Sequence, residues 1–415
     1  MTLDYTLDRA VGTDLPFPLE EYHDRWERTL LAMRDADLPA LVVWQKSGGS
    51  FDRAGDVYWL TNYASIASGQ EPPLPGVGAG RAHAAVLLRP GHEPEVHTVD
   101  GAASTDPAQV ATGAVHSHFD LGEGLAQRMN DLGLEGRVGY VGDNFLPVQI
   151  HRALTERTPQ IEWVAVDDLL VRVQMHKSPR ERDVFREAGV IASRSMDALM
   201  TALIAGKPES EAAAMAAAEV YRAGGGIQRV AIDHGQHSEH FMWSSPMYGH
   251  RPVAPREGDM LRGWIYGPIL HGYWLDPGRT AVCGNRPTSA QRRLVEDSLS
   301  IHNAIIDAFR PGATAAEIGA YGDRLVEQSD FAVADASQWD VYGHGLGTFF
   351  QAPVVPAGGE APAAAFIHEP IREGSVMTVE VFFNTPGVGS ATWEDVFIVG
   401  ADGNEMLSTS PQLYW

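Results

Sequence analysis

Apolar positions recur at two different spacings along the chain, and each spacing predicts one kind of element. Apolar side chains three and four residues apart over residues 20–36 predict an amphipathic helix. Short apolar runs over residues 40–44, 84–88 and 138–143 predict buried strands. Because strands and helices alternate, the sequence predicts a small α/β domain with a mixed sheet over residues 1–168.

A second domain over residues 169–415 is predicted from two pairs of long helices and a hairpin between the pairs. The helices are expected over residues 177–206, 210–223, 289–309 and 315–328. Residues 258–284 alternate apolar and polar positions around Gly272, which predicts two antiparallel strands joined by a tight or bulged turn. Residues 352–365, rich in alanine, proline and glycine, are expected to form a surface loop.

Four ionisable side chains lie in otherwise apolar parts of this second domain. The sequence predicts Asp276 on the second strand of the hairpin and His344 between glycines. Glu380, in the segment MTVEV, and Glu394, in TWEDV, are each expected on an apolar strand. Because a buried charge must be paired or must coordinate a metal, these four residues are the candidate site.

The order of these segments resembles the pita-bread family of creatinase, aminopeptidase P, prolidase and methionine aminopeptidase. The matching segments are GD, GYWLDPGRT, GHGLG, MTVEV and WEDV, preceded by KSPRE and IAGKPESE around the first long helix. The resemblance covers the chain from about residue 171 onward. It implies an α/β (α+β) protein with a small N-terminal creatinase-like domain, a C-terminal catalytic pita-bread domain, and hydrolysis of C–N bonds.

Two positions depart from the metallopeptidases of this family. The first metal-binding Asp of the family falls on Ile265, and a second His falls on Gln351. The resemblance therefore implies an incomplete two-metal site. Asp276, His344, Glu380 and Glu394 are predicted to hold one divalent ion, Mn, Fe, Zn or Co, because mixed nitrogen and oxygen ligands suit all four metals. A metal-free site, in which the same groups hold the substrate as in creatinase, stays open beside it.

The resemblance also implies roles for residues outside the ligand set. His250 is predicted to handle protons at the mouth of the pocket, with His240 as a rival, and the neighbouring histidines are expected to be solvated loop residues. Glu380 or Glu394 is expected to carry the proton of the attacking water.

The predicted substrate-binding residues are Arg81, Gln351 and Tyr273. Arg81 matches an arginine that creatinase contributes to the pocket of the other subunit, which implies a homodimer; a solvated loop arginine is the alternative.

The missing Asp and His predict a substrate other than a peptide. We expect a small amide, amidine or cyclic amidine, as in creatinase or ectoine hydrolase, although Gly278 replaces a glutamate that creatinase carries. Three alternatives stay open. They are an Xaa-Pro aminopeptidase or prolidase-like metallopeptidase, a metal-dependent lyase of the dimethylsulfoniopropionate-lyase type, and a non-catalytic binding protein.

Composition indicates which partners the protein binds and in which cellular compartment it is expected. The chain has 54 acidic and 31 basic residues, a net charge of −23, which argues against nucleic acid. The start of the chain shows no signal peptide, and no window approaches the roughly 20 apolar residues of a membrane span. Its one cysteine, Cys283, excludes an internal disulfide and fits a reducing compartment. We therefore expect a cytoplasmic enzyme with a small-molecule substrate.

Overall fold

A computed structural model describes residues 11–46, 55–65, 80–101, 105–239, 250–333, 341–358 and 366–415. The chain forms two compact units, Met1–Gln174 and Met175–Trp415. The predicted domain boundary after residue 168 stays a prediction, and it falls within the helix Asp167–Met175. Among the described residues, no helix combines the length and apolar character that crossing a membrane requires.

The N-terminal unit is a mixed six-stranded sheet with the strand order β4-β3-β2-β1-β5-β6. The strands are β1 Leu41–Lys46, β2 His83–Leu88, β3 Glu95–Thr98, β4 Val115–Ser117, β5 Gly136–Val141 and β6 Ile161–Ala165. The helices are α1 Leu19–Asp35, α2 Gly55–Thr61, α3 Leu121–Asp131, α4 Val148–Arg157 and α5 Asp167–Met175. The short connection between β2 and β3 gives an antiparallel pair, whereas the crossover through α4 makes β5 and β6 parallel. The prediction of an α/β unit with a mixed sheet is confirmed.

The second unit is built on an antiparallel sheet with the strand order β12-β11-β13-β14-β10-β8-β7, to which β9 and β15 add short pairings. Its strands are β7 Arg229–His234, β8 Met260–Leu270, β9 Tyr273–Leu275, β10 Gly278–Val282, β11 Val341–Leu346, β12 Phe350–Pro356, β13 Val376–Thr385, β14 Gly389–Ile398 and β15 Glu405–Met406. Its helices are α6 Pro179–Ile204, α7 Glu209–Arg222, α8 Ser289–Ala308 and α9 Ala315–Glu327.

The four predicted helices of this unit are confirmed, and local chemistry explains where three of them begin. Ser178, Thr288 and Thr314 each cap a helix with the side-chain oxygen, and an acid or amide three residues later bonds back to the cap. Apolar faces of α8 and α9 pack with β13 and β14 into one hydrophobic core. The strands of this core position the candidate site.

The predicted hairpin is confirmed, with one correction. Strands β8 and β10 are antiparallel, and His271 and Gly272 form the turn with positive φ angles of 48° and 79°. Asp276, however, is not on a strand: it lies in the two-residue gap between β9 and β10. Pro277 explains this gap, because its ring removes the N–H that a continuing strand would donate.

The surface loop expected at residues 352–365 is wrong for its first part. Residues 352–356 belong to β12, and most of them are buried. Two prolines, Pro353 and Pro356, made this segment look like a loop, but β12 lies at the end of the sheet, where proline is tolerated. Residues 359–365 lie outside the described part of the chain.

Candidate metal centre

The register of three strands sets the acids of the site in one row across the sheet. Glu380 on β13 is paired with Glu394 on β14, and Glu394 is paired with Gly278 on β10. Directly opposed residues project to the same face of a sheet, so both glutamates lie on one face. Asp276, in the gap before β10, joins this row: one of its carboxylate oxygens lies within 4.8 Å of a ligating atom of Glu394 and of His344.

Glycines bring His344 close to the same row. His344 is paired with Thr378 on β13. A Cβ atom at Gly343, which has a φ of 148°, would lie 2.0 Å from the carbonyl oxygen of Thr378. A Cβ atom at Gly345 would lie 2.5 Å from the carbonyl oxygen of Ala352 on β12. Only glycine allows both neighbouring strands to approach this closely, which explains the glycines on either side of the imidazole.

The imidazole of His344 is oriented on two sides. Its Nδ1 lies 3.1 Å from the carbonyl oxygen of Gly345, and since a carbonyl only accepts, the proton of this hydrogen bond is on Nδ1. The ring also packs edge-on against Phe350 at a centroid distance of 4.6 Å. This orientation turns Nε2 of His344 towards the acids, as the outer-shell hydrogen bond of a metal-binding histidine does.

The distances between ligating atoms fit one small cation. His344 Nε2 lies 3.5 Å from Asp276 Oδ2, 3.6 Å from Glu380 Oε1 and 4.0 Å from Glu394 Oε1. Two ligands bound at about 2.1 Å and at tetrahedral angles lie about 3.4 Å apart. The predicted set of one imidazole and three carboxylates therefore comes together with separations close to those of a metal site.

Electrostatics also favour a cation at this place. Neither carboxylate oxygen of Asp276 has a hydrogen-bond partner among the residues that the structure describes. Burial raises the pKa of Asp276, and the nearby His344 opposes this effect. Burial, followed by the charges of Asp276 and Glu380, raises the pKa of Glu394 well above its usual value. A divalent ion would remove the repulsion between these acids, so the residues present fit such an ion.

The two departures from the family pattern are both buried. Ile265 is fully buried on β8. Gln351, on β12, is buried as well, and its Oε1 accepts a hydrogen bond of 2.8 Å from the buried Nζ of Lys177. Neither position provides the carboxylate or imidazole that a second metal would use there.

Trp264 is a further determinant of the site that the sequence did not indicate. A Cβ atom at Gly278 would lie 2.5 Å from the indole Nε1 of Trp264 and 3.2 Å from Cβ of Glu394. The indole therefore occupies the space beside Gly278 where creatinase carries a glutamate. Trp264 on β8 is paired with Gly278 on β10. The contact between the two residues depends on this strand pairing, which the sequence alone does not give.

Tyr273, Arg81 and His240 complete the set of predicted site residues. Tyr273 is buried, and its hydroxyl donates to Glu181 at 2.9 Å. Arg81 is exposed in the turn before β2 of the N-terminal unit. His240 lies outside the described residues. The roles of these residues stay predictions.

His250 is half-buried, and no hydrogen-bond partner reaches its Nδ1 within the described part of the chain. Burial lowers the pKa of His250; Glu209 opposes this shift and Arg229 adds to it. The structure does not join His250 to the group of Asp276, His344 and Glu394. Its role in proton transfer stays a prediction.

The expectation that the histidines near residue 240 are solvated is wrong for His234. This residue ends β7 and is 6% exposed. Its Nε2 lies 2.9 Å from Oε1 of Glu209, which also accepts from Arg251 at 2.8 Å. The sequence signal for the burial of His234 is the apolar run of residues 230–232 earlier on β7. The irregular spacing of the histidines does not carry this signal.

A buried ion-pair network lies directly behind the site. Arg279 donates to Asp395 Oδ1 at 2.6 Å, and His302 Nε2 lies 3.1 Å from Asp395 Oδ2. Burial raises the pKa of Asp395, but Arg279 and His302 outweigh burial, and the pKa falls below its usual value. This network fixes β10 to β14 and thereby holds Asp276 and Glu394 in place.

The comparisons with known proteins assign the fold and the family of this chain. Residues 183–401 match metallopeptidase family M24, and this stretch is more than half of the 415-residue chain. The chain therefore belongs to metallopeptidase family M24, and the predicted family and fold class are confirmed.

Individual relatives agree with this assignment. The chain is 29% identical over 258 residues to "Probable dipeptidase PepE" of Mycobacterium tuberculosis, over 60% of this chain and 62% of that protein. It is 24% identical to "Xaa-Pro dipeptidase" of Pyrococcus furiosus, over 70% of this chain and 77% of that protein. The structure of the prolidase from Pyrococcus horikoshii superposes with a TM-score of 0.73 and 19% identity, over 94% of this chain and 99% of that chain. This last similarity concerns the fold.

Proposed function

We propose that the protein is a metal-dependent dipeptidase of the prolidase type. It would hydrolyse the C–N bond of Xaa-Pro or related dipeptides with one divalent ion, Mn, Fe, Zn or Co, held by Asp276, His344, Glu380 and Glu394. The observation that carries this proposal is the convergence of three carboxylates, those of Asp276, Glu380 and Glu394, on Nε2 of His344. Relatives named as dipeptidase and Xaa-Pro dipeptidase support the substrate class.

Different side chains of the site are proposed to have different roles in hydrolysis. When bound, the ion would polarise the scissile carbonyl and lower the pKa of a water molecule. The side chain of Glu380 is 12% exposed, against 3% for Asp276 and 5% for Glu394, so Glu380 is the acid that exchanges a proton with water. His250 is proposed to stabilise the oxyanion or the leaving group, and burial, which lowers its pKa, favours the neutral imidazole.

One ion, rather than two, is proposed for three reasons. Ile265 has no ligating atom, Gln351 is already bonded to Lys177, and Trp264 fills the space beside Gly278. The sequence prediction of an incomplete two-metal site thus becomes part of the proposal.

The same observations favour a second candidate, a hydrolase of a small non-peptide amide, amidine or cyclic amidine. Ile265 and Gln351 stand where the metallopeptidases of this family carry an Asp and a His that peptide cleavage uses. Hydrolysis of small non-peptide substrates is therefore tested beside dipeptide hydrolysis. The homodimer, the role of Arg81 and the cytoplasmic location stay predictions.

The test combines metal content with a substrate panel. The protein is purified without chelators, its metals are measured, and chelated samples are reloaded separately with Mn²⁺, Fe²⁺, Zn²⁺ or Co²⁺. The panel contains Xaa-Pro dipeptides, other dipeptides, amidines and cyclic amidines, and release of the product amine is measured. We expect hydrolysis of a dipeptide that chelation abolishes and reloading restores.

Asp276→Asn and Asp402→Asn form a matched pair of variants, because Asp402 is an exposed acid of the same unit. Asp276→Asn should lose the ion and more than about 100-fold in kcat/KM, beyond the roughly 10–100-fold that a lost outer-shell partner costs. Asp402→Asn should keep both. Cleavage of amidines alone would replace the dipeptidase with the second candidate, and activity that survives chelation would replace the metal mechanism with a creatinase-like one. A panel that yields no product would overturn both hydrolase candidates.

A further inference from the structure

A second cluster of metal-ligating side chains lies in the N-terminal unit. Strands β3 and β4 are parallel neighbours, and their register sets His97 beside His116. Glu95 comes two residues before His97 and therefore projects to the same face of the sheet. One ligating atom from each of the three residues lies within 4.8 Å of the others.

Two nitrogens of this cluster are buried and lack a hydrogen bond. His97 is fully buried, and neither its Nε2 nor Nε2 of His116 has a hydrogen-bond partner among the residues that the structure describes. Oε2 of Glu95 lies 3.7 Å from Nε2 of His97 and 3.4 Å from Nε2 of His116. Buried polar atoms are rarely left without a partner, and an ion is one of the partners that explains such a pair.

The orientation of His97 suits a metal ligand. Its Nδ1 lies 2.9 Å from Nε2 of His118. If the proton is on Nδ1 of His97, this contact is a hydrogen bond and Nε2 of His97 is left with a lone pair. His118 is itself fixed, because a Cβ atom at Gly124 of α3 would lie 2.2 Å from its ring. This arrangement resembles the outer-shell hydrogen bond that orients metal-binding histidines in general.

Two guanidinium groups hold the carboxylate of Glu95. Arg89 donates to Oε1 at 2.7 Å, and Arg128 donates to Oε2 at 2.8 Å and to Oε1 at 3.1 Å. These bonds fix Oε2 opposite the two imidazoles. Their positive charges also weaken the binding of a cation. The adjoining cleft of about 510 Å³ is lined by the acids Asp120, Glu123 and Asp131, of which Glu123 is paired with Arg157, so Asp120 and Asp131 offset part of that charge.

We propose that Glu95, His97 and His116 form a second divalent-metal site, which takes zinc through two imidazoles and one carboxylate. The separations of 3.4 Å and 3.7 Å match the roughly 3.4 Å between tetrahedral ligands, and zinc binds this mixture of nitrogen and oxygen atoms. His116 also lines the cleft, so solvent or a small ligand would reach an ion held by these residues from that side. The site is independent of the proposed dipeptidase activity.

The test counts zinc in the full-length protein without a polyhistidine tag. Metal-free protein is titrated with Zn²⁺ by calorimetry, and the bound ion is counted after equilibrium dialysis. The Asp276→Asn background isolates the N-terminal site, whether or not the centre in the second unit binds metal. We expect this variant to keep one equivalent and to show the visible absorption of four-coordinate Co²⁺ when loaded with that ion.

Adding His116→Gln to this background should remove the equivalent and the Co²⁺ spectrum, or weaken binding at least about tenfold. The matched control is His92→Gln, which changes an exposed histidine of the same unit. His116 is half-buried, so His116→Gln remains informative if a change at the fully buried His97 prevents folding. The proposal is overturned if the Asp276→Asn protein binds no zinc, or if His116→Gln binds it unchanged. Glu95 and its two arginines would then form an ion-pair network only.

Discussion

Two consecutive acids of β14 meet opposite surroundings. Glu394 and Asp395 are both buried, and because successive residues of a strand face opposite ways, they project to the two faces of the sheet. On one face, burial and two neighbouring acids raise the pKa of Glu394 well above its usual value. On the other face, Arg279 and His302 bring the pKa of Asp395 below its usual value.

The difference shows that burial alone does not mark a functional acid. The charge of Asp395 is already balanced within the protein, by Arg279 at 2.6 Å. Glu394 accepts a long hydrogen bond of 3.3 Å from Thr378, and its charged neighbours are the acids Asp276 and Glu380. A buried acid whose charge is paired with a cationic side chain stabilises the fold. A buried acid that lies beside other acids is instead suited to bind a cation.

The largest expected effect on stability comes from removing the charge of Asp395. Asp395→Asn removes the charge beside Arg279 and leaves the guanidinium buried without its counter-ion. We expect the free energy of unfolding of the metal-free protein to fall by about 3–5 kcal/mol. Urea unfolding followed by circular dichroism measures this change.

Glu394→Gln is the matched control for that variant, since it changes the adjacent acid in the same way. It removes one of several repelling charges, so the metal-free protein should be as stable as the wild type or more stable, while the bound ion is lost. Equal destabilisation by both substitutions would contradict the distinction between the two faces.

A smaller effect is expected from filling the space beside Glu394. The methyl group of Gly278→Ala would overlap the buried indole of Trp264, and this overpacking should cost about 1–3 kcal/mol of unfolding free energy. Metal affinity should fall as well, because Gly278 is paired with Glu394. Gly101→Ala is the control, since a methyl group there meets no atom within 4 Å. A Gly278→Ala protein with unchanged stability and affinity would show that Trp264 does not restrict the site.

The smallest effect is expected from Phe350→Ala. This change removes the edge-on ring that helps to orient His344, and such ring contacts are worth about 0.5–1.5 kcal/mol. Metal affinity should therefore weaken a few-fold in a titration, with little change in unfolding. Phe119→Ala, at an 89% exposed ring in the N-terminal unit, should leave the affinity unchanged. A loss as large as that of Asp276→Asn would mean that Phe350 supports more than the orientation of the imidazole.

Sequence patterns predicted the parts of this molecule that depend on local periodicity. The helices followed from apolar spacing, and the acids of the candidate site stood out because Glu380 and Glu394 interrupt apolar strands. Periodicity does not specify which distant side chain meets a given residue. Arg279 and Asp395 are 116 residues apart, so neither their ion pair nor the contact of Trp264 with Gly278 could be predicted from spacing. The two prolines misled in opposite ways: the apolar alternation around Pro277 predicted a continuous strand where the strand is interrupted, and Pro353 predicted a loop where a strand forms.

The prolines of β12 have a consequence for the behaviour of the protein at high concentration. In the described part of the chain, this strand pairs with β11 and ends the sheet. An unpaired strand edge offers N–H and carbonyl groups to which a second molecule can add, and this is a common route to aggregation. Pro353 and Pro356 have no N–H to donate, so β12 is a poor template for such addition. The edge of the sheet beside the candidate site is thereby protected against self-association.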